Sequence, residues 1–245
     1  KAGKEKIIGE SSVFYLYSKT AAEEIHNFNP KAKIIIMLRE PVSYLYSLHS
    51  QYLFTLNEKV KDFKKAILLE DLRKSEGRPF YKTTQFPSSL YYLEMADFGL
   101  QIKRYLKYFS KDKIKIIFLT DMVNNPKKTY KETLAFLGVK NKSFTPDLTN
   151  KNPNKQIRSR IIAEILYNPD INKTNLLRKI IPRKVLQKGF QFIKKMNMKK
   201  TKRKPLSEKT KKELKKKLKP KVIRLAKLLK KEKLSDKNIL KNWSY

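Results

Sequence analysis

Lys33-Ile34-Ile35-Ile36-Met37-Leu38-Arg39-Glu40-Pro41 is the stretch from which the rest of this 245-residue chain becomes readable. Ile34 to Leu38 is a compact, β-branched apolar run of the length of one buried strand. Pro41 suits the first turn of a helix, where its missing N–H has no partner to lose and its fixed φ is already helical. Arg39 therefore sits where ligands of open α/β sheets gather, at the carboxyl end of a strand and beside a helix N-terminus whose backbone donors and dipole favour anions. The helix, roughly Val42 to Leu53, carries Ser43, Ser47 and Ser50 on one face by their i, i+4, i+7 spacing, and a hydroxyl there could donate to the same anion. On these residues alone, pairing of Arg39 with a nearby acid and packing or solvent positions for the serines stay open as alternatives.

Outward from that stretch the pattern repeats. Thr20 and Glu23 form a possible capping box for a short helix ahead of the strand. Leu93, Ala96, Leu100, Tyr105 and Phe109 recur at roughly helical spacing between Leu90 and Phe109, and Lys113 to Leu119 thickens into a second buried strand. Asn125 and Pro126 open a further helix that Gly138 closes. Strands alternating with helices predict a parallel α/β sheet. The lysine-rich stretch up to Arg78 gives little period, and Pro79 and Pro87 mark a loop. After about Lys173 the chain becomes basic and helical, with Leu214, Leu218, Val222, Leu225 and Leu229 spaced as one apolar stripe. The reading is a single domain over residues 1–245, of which residues 173–245 form the basic helical part.

The charge is extreme, +36 from 58 Lys and Arg against 22 Asp and Glu, and it predicts attraction to anions without naming one. Lys greatly outnumbers Arg, so part of this excess can reflect the coding composition of the source. The absence of Cys removes disulfides, thiolate metal sites and thiol nucleophiles together and fits a reducing compartment. No apolar run approaches the roughly 20 residues of a membrane span, so no transmembrane segment is expected and a cytoplasmic location is the default. The first residue is Lys1 rather than Met, and an upstream piece is expected to be missing.

Leu38-Arg39-Glu40-Pro41 followed by Ser47 resembles the 3′-phosphate-binding segment of the sulfotransferase family that uses 3′-phosphoadenosine 5′-phosphosulfate as donor. Gly9-Glu10-Ser11-Ser12 with Tyr15 and Leu16 is similar to the stretch preceding it in bacterial and heparan-sulfate-type members, with Val13 where Pro is usual. Tyr105, Phe109, the strand at Ile114 to Leu119, Asp121, Asn125-Pro126 and Phe136-Leu137-Gly138 resemble a further ordered run of the same family. Leu225, Leu228, Leu229 and Trp243 resemble its closing helix and terminal Trp. The resemblance implies a P-loop-NTPase-like parallel sheet flanked by helices with a helical C-terminal region. It also implies that Arg39 and Ser47 hold the donor 3′-phosphate. In Asn152 to Arg160, where the family has a basic loop closing over the donor, Lys155 and Arg158 are candidates for donor contact, against a surface-charge reading.

The family's opening K-x-G-T-T/S-type loop, which grips the 5′-phosphosulfate, is not found. Lys1-Ala2-Gly3-Lys4 is too short for it, and the chain is expected to be N-terminally truncated and of little activity without that loop. No catalytic base is assigned: Glu10 suits a cap, and His26 and His49 suit surface or core roles. The resemblance implies in-line transfer of a sulfuryl group to a hydroxyl or amine, preferably of a carbohydrate or polysaccharide, with no metal needed. The rival reading is a basic nucleic-acid-binding protein without catalytic activity. It leaves the ordered motif series unexplained, and the chain lacks the aromatic interleaving of a single-strand platform.

Overall fold

The computed structural model describes residues 7–78, 80, 84, 86–139, 146–147, 154–167 and 183–245. In chain order the elements are α1 (Ala21–Phe28), β1 (Ile34–Leu38), α2 (Pro41–Phe54), α3 (Phe63–Leu68), α4 (Glu70–Glu76), α5 (Tyr92–Met95), α6 (Phe98–Tyr105), β2 (Ile114–Phe118), α7 (Leu119–Asn124) and α8 (Pro126–Leu137). They continue with β3 (Lys155–Ile157), α9 (Arg160–Tyr167), α10 (Arg183–Met196), β4 (Met198–Lys200), α11 (Glu208–Lys231) and α12 (Ile239–Asn242). Two compact units result, the first from Lys1–Tyr44, Glu94–Thr149 and Lys211–Tyr245, the second from Leu45–Leu93 and Asn150–Thr210. Among the described residues no helix is long and apolar enough to cross a membrane.

In the first unit β1 and β2 pair in parallel, in register from Ile34 opposite Ile114 to Leu38 opposite Phe118. The parallel α/β architecture expected from the strand–helix alternation is therefore the one observed. Ile36, Leu38 and Phe118 of the strands are buried with Phe98 and Ile102 of α6 and with Val222, Leu225 and Leu229 of α11. The apolar stripe of α11, spaced three and four residues apart, is buried from Leu214 to Leu229 while most of its lysines stay in water. Each such leucine contributes about 1.5–3 kcal/mol by leaving water. Trp243, 4% exposed, closes this core edge-on to Phe118 with ring centroids 6.0 Å apart.

Two local expectations are corrected. The stretch Leu90 to Phe109 is not one helix: it breaks into a 3₁₀ turn at Pro87–Leu90, then α5, then α6. Asp97 makes the break, because its buried side chain caps α6 by accepting from the Leu100 N–H and is itself held by Lys221 and Arg224 at 3.0 and 2.6 Å. At α1 the helix stands but its cap is not Thr20, whose side chain makes no capping bond. Ser18 Oγ accepts from the N–H of Ala21 and of Thr20 instead. At α8 Pro126 stands in the first turn and Gly138 is left-handed at φ 82° past the end, as read, whereas Asn125 occupies the cap position without a capping bond from its side chain.

The second unit buries Leu45, Tyr52, Leu56, Phe63, Ile67, Leu90 and Tyr92 around a charged pair that the sequence did not announce. Arg73, with no exposed surface, donates to both carboxylate oxygens of Glu58 at 2.9 and 2.8 Å. Glu58 also accepts from the N–H of Lys59 and Val60 and from the Tyr92 hydroxyl. Here too β3 and β4 form an antiparallel pair, Lys155 opposite Lys200 and Ile157 opposite Met198. The basic loop read over Asn152 to Arg160 is thus a strand at Lys155–Ile157, because Ile157 and Met198 give the pair a half-buried face.

Candidate functional site

The carboxyl ends of the two parallel strands deliver the first unit's most chemical constellation. Leu38 ends β1 and Phe118 ends β2, and the residues that follow, Arg39–Glu40 and Leu119–Thr120, line a cleft of about 230 Å³ with Ser43, Val123, Asn124 and Trp243. Its walls are apolar at Leu38, Leu119, Val123 and Trp243, and the polar groups converge from Arg39, Glu40, Ser43, Thr120 and Asn124. A few placed polar groups on an apolar wall at the carboxyl edge of a parallel sheet is the usual form of a ligand site in such folds.

Arg39 is half-buried and lies along the first turn of α2. Its Nε and one terminal amino group donate to Ser43 Oγ at 2.9 and 2.6 Å. The hydroxyl thereby accepts twice and still has its own O–H to give. Guanidinium and hydroxyl together present a cation and a neutral donor, the pairing that suits a phosphate or sulfate oxygen.

The expectation that the α2 N-terminus adds open backbone donors is corrected. Glu40 accepts from the N–H of Val42 and Ser43 at 3.1 and 2.7 Å, and the N–H of Tyr44 bonds the Glu40 carbonyl. Pro41 has no N–H, so the first turn is satisfied by its own chain. Tyr245 donates its hydroxyl to Glu40 at 2.8 Å, and burial beside that carboxylate raises the phenol well above its ordinary pKa. Anion recognition from the α2 side of this cleft therefore comes from side chains.

Ser47 belongs to the second unit, where its hydroxyl accepts from Arg203 at 3.2 Å. Arg203 also donates to Asn154 Oδ1 at 3.1 Å and lies over the Tyr46 ring, and Ser50 donates to the same Asn154 oxygen at 3.0 Å. The helical face Ser47–Ser50 is thus a polar cluster around Arg203, whose Nε is buried with no hydrogen-bond partner among the described residues. Sequence reasoning missed Arg203. Its one signal is an arginine within the run from Lys199 to Lys204, drowned by lysines. Lys155 is half-buried on β3 and Arg158 is exposed just beyond it, its N–H bonded to the Asn197 carbonyl.

Other candidates fall away from the chemistry. Glu10 is exposed and accepts from Ser12. His26 packs edge-on to Phe109, and His49, 2% exposed, makes a 2.8 Å bond to the Val60 carbonyl while burial lowers its pKa. Lys1-Ala2-Gly3-Lys4 lies outside the described residues.

A family model described as the sulfotransferase domain matches residues 23–238. Carbohydrate sulfotransferase 15 of Mus musculus is 31% identical over 122 residues, which is 47% of this chain and 22% of that protein. The Homo sapiens protein of the same name is 30% identical over the same shares. The chain thus aligns with about a fifth of the length of these relatives. The crystal structure of a sulfotransferase from Alicyclobacillus acidocaldarius superposes with a TM-score of 0.61 at 21% identity, covering 96% of this chain and 66% of that one, and so shares its fold.

Proposed function

The chain belongs to the sulfotransferase domain family, and on that premise we propose that it takes part in transfer of a sulfuryl group from 3′-phosphoadenosine 5′-phosphosulfate to a hydroxyl or amine of a carbohydrate. The observation that carries this reading is the Arg39–Ser43 pair at the carboxyl ends of β1 and β2. The carbohydrate acceptor is supported by the relatives that bear that name.

The cleft fits one end of the donor. At about 230 Å³ it is smaller than the roughly 300–1,000 Å³ of pockets that enclose whole small ligands, yet ample for one phosphate. The proposed occupant is the 3′-phosphate, with Arg39 supplying charge and Ser43 its hydroxyl hydrogen. In the second unit Ser47, beside Arg203, and the cations Lys155 and Arg158 are proposed as further donor contacts. When bound, the donor supplies the activated sulfur. An acceptor oxygen or nitrogen attacks it in line, the sulfur–oxygen bond to the nucleotide breaks, and the electron pair leaves on the 5′-phosphate as the acceptor proton passes to a general base. The chemistry parallels phosphoryl transfer, where positioning and charge stabilisation supply most of the rate.

Arg39 anchors a phosphate remote from the reacting sulfur, so it governs donor affinity and orientation more than bond breaking. The test is incorporation of radiolabelled sulfate from the donor into a pool of polysaccharides. Incorporation that falls sharply in Arg39→Ala supports the reading. Incorporation unchanged in that variant sinks the assigned role of Arg39, and retention of label on non-carbohydrate acceptors alone sinks the acceptor class.

A further inference from the structure

At the opposite end of the first unit's strands lies a larger groove, about 690 Å³, that shares no lining residue with the Arg39 cleft. It runs between α6 with the turn after it and the C-terminal half of α11. Gly99 sets its floor: a Cβ there would come within 3.2 Å of the Leu225 backbone nitrogen, so the two helices touch almost backbone to backbone. From that crossing the groove opens between two rows of cations. Lys103, Lys107 and Lys111 line one side, and Arg224, Lys227 and Lys231 the other. Among the described lining residues Glu232 is the single carboxylate, a ratio far more basic than the chain as a whole.

All six cations are exposed, and among the described residues Arg224 is the one of the six in an ion pair, with Asp97. Cations four residues apart on α11 stand about 6 Å apart along its axis. The rows therefore form a linear array, matched to a linear polymer with anions on successive units. Ser110 and Lys111 precede β2, whereas Arg39 and Thr120 follow the strands, so the groove and the phosphate cleft lie at opposite ends of five-residue strands, about 16 Å long.

We propose that this groove is a second anion-binding site that holds an acidic polysaccharide, one carrying sulfates or carboxylates along its length. The saccharide identity rests on the carbohydrate acceptor proposed above. The polyanion specificity rests on the two rows alone. A nucleic-acid duplex is too wide to enter between helices in backbone contact, and the one aromatic among the described lining residues, Phe109, is 2% exposed and offers a single strand no stacking face.

The test uses the whole chain, without donor, and labelled heparin oligosaccharide as the probe, beside single-stranded DNA of equal charge. The quadruple variant Lys103→Gln, Lys107→Gln, Lys227→Gln, Lys231→Gln is compared with Lys212→Gln, Lys216→Gln, Lys217→Gln, Lys219→Gln, four exposed lysines of α11 outside the groove. The groove variant should bind heparin roughly tenfold or more weakly than the control variant at about 0.1 M salt, with a shallower salt dependence and unchanged affinity for adenosine 3′,5′-bisphosphate. Equal losses in the two variants would mean bulk charge only and would overturn the site. DNA bound as tightly as heparin and lost in parallel would overturn the saccharide in favour of nucleic acid. Because heparin binding is read without donor, an Arg39→Ala variant that retains bisphosphate affinity would discredit the transfer reading and leave the groove's anion site standing or falling on its own result.

Discussion

Glu58→Gln should be among the most damaging single changes in the chain although it alters neither shape nor volume. The carboxylate holds the guanidinium of Arg73 at 2.9 and 2.8 Å in a site where neither side chain is more than 1% exposed. Removing the charge takes from the buried Arg73 the carboxylate that balances it, and the carbonyls of Ala66 and Leu90, at 3.3 and 3.4 Å, are long bonds that carry no counter-charge. Breaking a buried ion pair by removing one partner costs about 3–5 kcal/mol, which for a chain of this size lowers the melting temperature by about 10 °C. Urea unfolding followed by circular dichroism measures it. The double variant Glu58→Leu, Arg73→Leu should lose less than the sum of its two single changes, because the charge that makes each one costly is gone. A loss under about 1 kcal/mol for Glu58→Gln, or strict additivity in the cycle, would refute the reasoning.

Trp243→Ala should cost about 3–5 kcal/mol by opening a cavity against Phe118, seen as a lower urea midpoint. Gly99→Val should destabilise by about 1–3 kcal/mol, because the helix backbone at Leu225 has to move aside; a wild-type midpoint would mean the two helices do not meet there. Burial lowers the pKa of His49, against weaker opposing effects of its bond to the Val60 carbonyl and of the Glu58 and Asp62 charges, so its folded pKa lies below its unfolded one. Its contribution to stability is complete above the unfolded value near 6.5 and is lost as pH falls through the folded value. Comparing wild type with His49→Gln at pH 7.5 and pH 5.5 should show a smaller acid-side loss in the variant, and equal losses would remove His49 from the account.

The sequence announced what local chemistry controls. The β-branched run at Ile34–Leu38, Pro41 at the head of α2 and Gly138 at the end of α8 each specify their conformation within a few residues, and the structure follows them. Asp97 ends one helix and begins another because Lys221 and Arg224, more than a hundred residues away, hold it in place. Glu58 and Arg73 sit in the stretch with the weakest period, since a buried ion pair leaves no apolar signature. At the cleft, Arg39 was legible from its place after a strand, whereas Glu40 as the satisfier of the α2 amides required the side chain's direction. Arg203 could not be told from its lysine neighbours until β4 and the chain beyond it brought it to Ser47.

The measurement that bears most directly on the central claim is a calorimetric titration of the chain with adenosine 3′,5′-bisphosphate beside adenosine 5′-monophosphate, at two salt concentrations, for wild type and Arg39→Ala. The account predicts a preference for the bisphosphate that persists at the higher salt and falls by about 2 kcal/mol or more, roughly thirtyfold, when Arg39 is removed. Equal, salt-steep affinity for both nucleotides, indifferent to Arg39, would contradict it.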